Sequence, residues 1–367
     1  MSIRLAALLT LAVAPAFCQE WNAHLAEQYM DSRQKEWIAW PIAMHSGVAC
    51  VSCHTGLTYL IARPALRHSL GEKSGPTLYE SVLVDSMRAT VIRTDSNDLF
   101  AGLKGPIVDQ VYGAQVVLGS LVIAMDDATR GKMSPEGEKA FERMWSIQLK
   151  DGADKGGWNW SDFDLDPWET KDSAYYGVAL AALATGLAPA GYQARPEIRD
   201  NVAAMTAYLR AGAKTQSLHN KLFLLWASSK LHGLLSDAEK QAILDELWRK
   251  QEPDGGWTMQ SAGQWKKRDA AAPAIGSNSY ITALAAYCTQ QAGVQPSQAG
   301  LSKALAWLRT HQTAQGYWAA ESMNHKHEAG TMPEKFMSDA ATGYATAALL
   351  AAGNEGIQRT ASNSKPR

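Results

Sequence analysis

Cysteine is scarce, four in 367 residues, with one in the N-terminal apolar stretch, two in one short motif and Cys288 alone, so no disulfide framework can be expected to hold the fold together. Charge of either sign is equally unhelpful. The net charge is −1 and no basic stripe occurs, which removes nucleic acid from the expected partners. Runs of β-branched residues are few, while alanine-rich and aliphatic segments dominate, and this composition points to an all-α chain. Beyond the first residues, no apolar run is expected to reach the roughly 18 residues that a membrane span requires. Tryptophan, by contrast, is abundant at 13 residues.

The chain begins MSIRLAALLTLAVAPAFCQE, with Arg4 ahead of an apolar run from Leu5 to Val13, then Pro15, Ala16 and Cys18. This is the pattern of a secretory signal peptide at residues 1–18, with cleavage expected after Cys18. Phe17 does not suit the small residue that precedes a lipid-anchored cysteine. The expectation is an exported protein, periplasmic or secreted from a bacterium. Removal of the leader leaves Cys50, Cys53 and Cys288, the last on an apolar helical stretch where a thiol packs as a small hydrophobe.

Cys50 and Cys53 belong to CVSCHTG. Two cysteines two residues apart with His54 directly after them form the spacing at which haem is attached covalently, each thiol making a thioether. His54 then becomes an axial ligand of the iron, and one haem c is the expected cofactor. The alternatives are a redox dithiol with a chance histidine and a zinc half-site. Zinc asks for four ligands, and no second pair stands nearby. A dithiol oxidant usually sits in a strand–helix setting that this chain does not show.

From Trp21 to Trp40 charged and apolar residues follow a helical period that Pro41 ends, giving an accessory N-terminal helix within 19–49. Thereafter apolar and more polar helices alternate with a period of about 50–60 residues. The apolar ones start near Cys50, Asp109, Asp172, Ser217, Ser277 and Ser338. Their partners start near Pro76, Ser134, Arg195, Ser236 and Leu301, and the last has no evident partner. Helices apolar nearly all round are inner, and those with a one-sided stripe are outer. Six such units predict an α/α barrel over 50–353, with an open solenoid as the alternative, and a disordered tail at 354–367.

Gln251, Gly255 and Trp257 in QEPDGGW, and Gln312, Gly316 and Trp318 in QTAQGYW, share the pattern Q-x-x-x-G-x-W. Gln148 and Trp158 in QLKDGADKGGWNW look like the same pattern with an insertion. On these motifs the chain from Asp109 to Gly353 resembles the squalene cyclase and prenyltransferase superfamily. The resemblance implies an (α/α)6 barrel in which the glutamine caps helix ends and the tryptophan stacks across the turn. Cyclases of that family protonate an alkene with a DxDD motif. The four matching positions here are Glu169, Thr170, Lys171 and Asp172, so a lysine replaces the proton donor. Glu169 and Asp172 remain the candidate catalytic acids, in a loop that also holds Asp162, Asp164 and Asp166. The competing reading makes Asp172 and Ser173, and likewise Ser338 and Asp339, helix caps.

CVSCHTGLTYL reads as the start of the first inner helix, so the haem is expected at the N-terminal end of the barrel, lining a cavity there. One class of function is electron transfer or haem-based redox chemistry on a small or apolar ligand, with an unidentified redox partner. A second is a terpenoid cyclase relative, and a third is a binding module stapled by haem. A second axial ligand decides between electron transfer and chemistry. His325, His327 and Met332 in SMNHKHEAGTMPEKFMSD lead the candidates, with Met323 and Met337 beside them and Met44, His45 and His68 nearer the motif.

Overall fold

The computed structural model describes residues 21–93, 104–189, 191–265 and 275–363. The leader at 1–18 and residues 364–367 lie outside them. The fold is all-α. Among the described residues there are thirteen α-helices, and strand structure is confined to one hairpin, Met44–His45 against Val48–Ala49, and isolated bridges. The helices are α1 Ala23–Ala39, α2 Gly56–Ser69, α3 Leu78–Ile92, α4 Pro106–Arg130, α5 Pro135–Ser146, α6 Ala174–Leu187, α7 Arg199–Gly212, α8 Leu218–Ser228, α9 Asp237–Arg249, α10 Met259–Ala262, α11 Ser279–Gln291, α12 Ala299–Thr310 and α13 Met332–Asn363.

Alternation of inner and outer helices follows the expected order. Tyr175 to Thr185 on α6 and Ser279 to Thr289 on α11 are buried without a break. On the outer α7 only Met205 and Leu209 are buried, and on α9 only Ile243 and Leu247. A one-sided apolar stripe can cover a core but cannot sit inside one. The starts are set by local chemistry: Ser217, Ser236, Thr77 and Ser134 each accept a backbone N–H of the first turn.

The packed neighbours follow a cyclic order. α13 lies between α2 and α11, then α11 packs on α8, α8 on α6 and α6 on α4, while α3 joins α4 to α2. α1 packs on both α2 and α13. α1 thus packs on the main body, where it is the outer neighbour of α13.

The three glutamine–glycine–tryptophan motifs build the same joint three times. Gln148 Nε2 donates to the carbonyls of Gly156 and Asn201 at 3.0 Å each. Gln251 Nε2 donates to Gly255 and Gly300 at 2.8 Å each, and Gln312 Nε2 to Gly316 at 2.9 Å and Asn22 at 3.0 Å. Each glutamine thus ties its own turn to the start of another outer helix: α7, α12 and α1. The indoles of Trp158, Trp257 and Trp318 donate back to Met144, Leu247 and Leu308 at 2.8, 2.9 and 2.8 Å. Gly156, Gly255 and Gly316 have φ of 93°, 98° and 90°. A Cβ on them would stand 2.3, 2.8 and 2.2 Å from the carbonyl oxygens of Ala204, Lys303 and Leu25.

Three expectations need correction. α13 begins at Met332, with Pro333 and Glu334 in its first turn, where a missing N–H and a negative charge are both favourable. Ser338 and Asp339 are therefore interior helix residues and not caps, and Met332 and Met337 are helical and not in a loop. The α13 backbone also continues to Asn363, so the boundary at 353 falls within a helix. Finally, α4 has 25 residues and is apolar enough to cross a membrane, contrary to the expected absence of such a run. Burial of 61% of its most apolar window against α3, α5 and α6 accounts for that composition as a core helix.

The Gly316 joint yields a direct prediction. Gly316→Ala combines left-handed strain with a collision against the Leu25 carbonyl, and should destabilise by at least ~2 kcal/mol in urea unfolding. Gly330→Ala, at φ 82° with open space around it, should cost only about 1 kcal/mol.

Candidate functional site

The hairpin turns at Ser46 and Gly47, both at positive φ, and returns the chain so that Cys50 N–H bonds to the Ala43 carbonyl at 2.8 Å. Trp37 Nε1 donates to the Cys50 carbonyl at 2.7 Å. Ser52 Oγ then accepts the N–H groups of Thr55 and Gly56, at 3.2 and 3.1 Å, and so starts α2. At Gly56 a Cβ would lie 2.4 Å from the Val51 carbonyl oxygen, so only glycine fits this turn. Cys50 to Thr55 therefore form the turn before α2 and not, as the sequence suggested, the start of that helix, with Cys53 and His54 buried and Cys50 partly exposed.

His54 is enclosed by rings. Phe336 stacks on it at 3.7 Å between centroids, Trp37 meets it edge-on at 5.4 Å, and Trp168 lies at 5.5 Å. Its Nδ1 is 2.9 Å from Thr55 Oγ1, and Thr55 Oγ1 donates to Asp339 Oδ2 at 2.8 Å. Asp339 also accepts Arg33 Nε at 2.8 Å, Arg33 Nη2 at 3.0 Å and Tyr29 OH at 2.9 Å. The threonine proton goes to the carboxylate, so Thr55 can only accept from His54. That fixes the Nδ1–H tautomer and leaves the lone pair on Nε2. Burial, helped by the Arg33 charge, pushes the imidazole down to about 3, so it is neutral at ordinary pH.

Burial moves the thiols the other way. Cys50 is raised to about 12 and Cys53 well above its usual value, with the Glu169 charge adding to both. They are not joined in a disulfide. A redox dithiol or a zinc half-site requires thiolates, which this environment disfavours. Among the described residues no three His, Cys, Asp or Glu side chains form a group that would hold a metal ion by themselves.

The acid-rich loop does not present its carboxylates as one cluster. Glu169 pairs with Leu165 in an isolated bridge, which places it half-buried beside the two thiols, and burial raises it to about 7. Asp172 is exposed in the short 3-10 turn Lys171–Ser173. Its neighbour Ser173 stands at the start of α6, but its hydroxyl donates to the Pro167 carbonyl at 2.9 Å and caps nothing in that helix. Glu169 and Asp172 are therefore separated and do not form an acid pair.

The expected second-ligand loop approaches the motif through a different residue. His325 Nε2 lies 3.1 Å from the Asp164 carbonyl oxygen and 3.3 Å from its carboxylate, with the His327 ring at 5.4 Å. Met332 sulfur faces Arg33 Nη1 at 3.5 Å, and Met323 and Met337 are core residues. The ring presented to His54 is Phe336. His68 is exposed in the last turn of α2, about 20 Å along the chain axis from His54 at 1.5 Å per residue. Met44 and His45 lie in the hairpin, and the side chain of His45 is outside what the structure describes.

Arg33, Thr55, Phe336 and the structural role of Asp339 were not legible in the motif. The one signal was Asp339 itself, a carboxylate in an otherwise apolar run that a buried position obliges to find partners.

The middle of the molecule is filled by aromatic rings. Trp168 meets Tyr280 at 5.3 Å, Tyr280 meets Tyr344 at 6.1 Å, Tyr344 meets Tyr287 at 5.7 Å and Tyr287 meets Trp226 at 5.1 Å. Trp226 and Tyr287 border a cavity of ≈ 860 Å³. This cavity lies at the C-terminal ends of α6, α8 and α11, the end away from the attachment motif, and not at the N-terminal end where the sequence placed one. No protein-family model and no curated protein matches the chain.

Glu169 generates a pH prediction. Its folded value of about 7 exceeds the unfolded 4.5, so the native state keeps the proton longer and stability falls as pH rises from 4.5, levelling above 7. His54 acts oppositely, losing stability as pH falls below 6.5 toward 3. Glu169→Gln removes only the first contribution. In protein expressed without residues 1–18, the variant should gain on the wild type between pH 4.5 and 7, by an increment of the order of 1 kcal/mol in thermal unfolding. Parallel curves would show that Glu169 is not desolvated.

Proposed function

We propose that this chain is an exported c-type haem protein, carrying one haem c through Cys50 and Cys53 with His54 as an axial ligand, on a closed α/α barrel of six hairpins. The observation that carries the reading is the hydrogen-bond relay His54–Thr55–Asp339. An iron-ligating histidine characteristically gives its second ring N–H to an acceptor that orients it, and here Thr55 is that acceptor. The donor set fits as well: two neutral, unlinked thiols and an imidazole whose Nε2 carries the lone pair.

Haem, when bound, supplies one-electron redox chemistry at iron. The chain's own residues do the rest. Thr55 holds the imidazole, Asp339 holds Thr55, and Arg33 pairs with Asp339 and opposes the burial that raises its carboxyl. Phe336, Trp37 and Trp168 exclude water from the imidazole, and a low dielectric around the ligand raises the cost of charge there. Cys50, at the partly exposed edge of the turn, and Cys53, within the core, would hold the macrocycle. Five successive inner–outer helix pairs with α13 against α1 as a sixth, the cyclic packing order and the Gln312–Asn22 joint between α12 and α1 support the barrel. The resemblance to squalene cyclases extends to fold only in this reading: Lys171 is exposed at the proton donor's position, and tyrosines and tryptophans occupy the interior that a polyprene would need.

The test is expression with a periplasmic haem-attachment system followed by acid–acetone extraction. Haem should stay with the polypeptide, and Cys50→Ala/Cys53→Ala should release it. Thr55→Val should keep the covalent haem but shift the midpoint potential and the spectrum of the ferric form, because the imidazole loses its acceptor. Haem extracted from the wild-type chain defeats the proposal.

A further inference from the structure

The cavity of ≈ 860 Å³ belongs neither to the attachment motif nor to its relay. α2, α3 and α4 form its wall on one side, and the ends of α6, α8 and α11 close it on the other. Its volume falls within the range of about 300–1,000 Å³ typical of small-molecule sites. The inner wall is apolar: Leu60, Ile61, Val122, Leu187, Trp226 and Tyr287.

Four cations line it, and three are already matched. Arg67 pairs with Glu80 at 3.3 Å, Arg88 with Asp127 at 2.9 Å and Glu136 at 3.2 Å, and Arg130 with Asp126. Lys230 is different. Its ammonium has no carboxylate or other acceptor among the described residues, although the side chain is only partly exposed. Desolvation alone lowers its pKa, with no neighbouring charge contributing. The position is nonetheless fixed. Lys230 N–H bonds to Ala227, its carbonyl accepts Gln193 Nε2 at 3.2 Å, and Gly186 lets α6 approach it so closely that a Cβ would lie 2.4 Å from the Lys230 carbonyl carbon. Four residues earlier, the buried indole N–H of Trp226 also lacks an acceptor. That N–H has no accessible surface, so the Lys230 ammonium is the donor that the apolar cavity offers a ligand. The lining carboxylate Asp85 is exposed and keeps its water, so it gives Lys230 nothing.

We propose that this cavity binds a long-chain aliphatic monocarboxylate, its headgroup on Lys230 Nζ and its tail along the apolar wall. A single unmatched ammonium calls for a single negative charge, since the arginines are already neutralised. A half-buried, unpaired cation is costly, and a ligand that supplies its counter-ion recovers that cost. An uncharged chain of the same length fills the wall but leaves Lys230 as it is. The site does not depend on the haem reading, since no residue of the attachment motif or its relay contributes to it.

The experiment compares dodecanoate, dodecanol and dodecyltrimethylammonium by isothermal titration below their aggregation concentrations, with tryptophan emission as a second readout. Dodecanoate should bind saturably and at least tenfold more tightly than dodecanol, and the cationic chain more weakly still. Lys230→Met should bring dodecanoate to the level of dodecanol while leaving dodecanol unchanged, and Lys230→Arg should keep the preference. The wild-type comparison needs no variant, so a misfolded Lys230→Met, read by circular dichroism, does not protect the proposal. Absence of saturable binding, equal affinity for acid and alcohol, or a preference that survives in Lys230→Met overturns it.

Discussion

A single buried carboxylate connects the parts of this molecule that lie furthest apart in sequence. Asp339, on α13, binds Arg33 and Tyr29 from α1 and Thr55 at the start of α2, with the arginine itself almost wholly buried. An unpaired charge in that setting would cost several kcal/mol. The first two helices and the last are therefore obliged to meet, and to meet in one register. That register also determines the face of His54 that Phe336 covers and the hydrogen bond that fixes its tautomer. The meeting of α1, α2 and α13 and the presentation of the imidazole are two consequences of the same desolvation penalty.

The outer layer solves a different problem with a repeated device. Each glutamine satisfies carbonyls of two outer elements at once, and each glycine permits a backbone approach that no side chain would tolerate. Buried carbonyls at helix ends must find donors, and one side-chain amide per joint meets that demand. Because the joint from α12 leads to α1, the same device that orders the middle of the chain also joins its two ends.

Inside, large aromatic side chains pack from the motif end to the cavity end, and the two ends have opposite chemistry. At one end, burial keeps two thiols protonated and one imidazole neutral, conditions under which a covalently held group can be enclosed without stranding charge. At the other, a lysine is left without a counter-ion beside an apolar wall. The interior between them is packed with tyrosine and tryptophan rings.

The sequence by itself determined the helix class, the alternation of inner and outer helices and the three joints, whereas CVSCHTG, read as the start of the first inner helix, forms the turn before it. Each of these depends on contacts within about one period: a 3.6-residue stripe, a cap, a glycine two residues before a tryptophan. Glu169, Asp172 and the methionine–histidine loop were visible as residues, but not in their relations. Whether Glu169 faces Asp172 or Cys53 depends on a turn whose path spacing does not reveal, and the start of α13 was missed because Ser338–Asp339 resembles a cap more than Thr331–Met332 does. Only the tertiary structure decided that α1 packs against α13, that Phe336 and not a histidine covers His54, and that the open volume lies at the far end. Those outcomes are set by burial. A carboxylate, a lysine or an imidazole takes its properties from which groups remove its water, and the neighbours that do so here are as much as three hundred residues away along the chain.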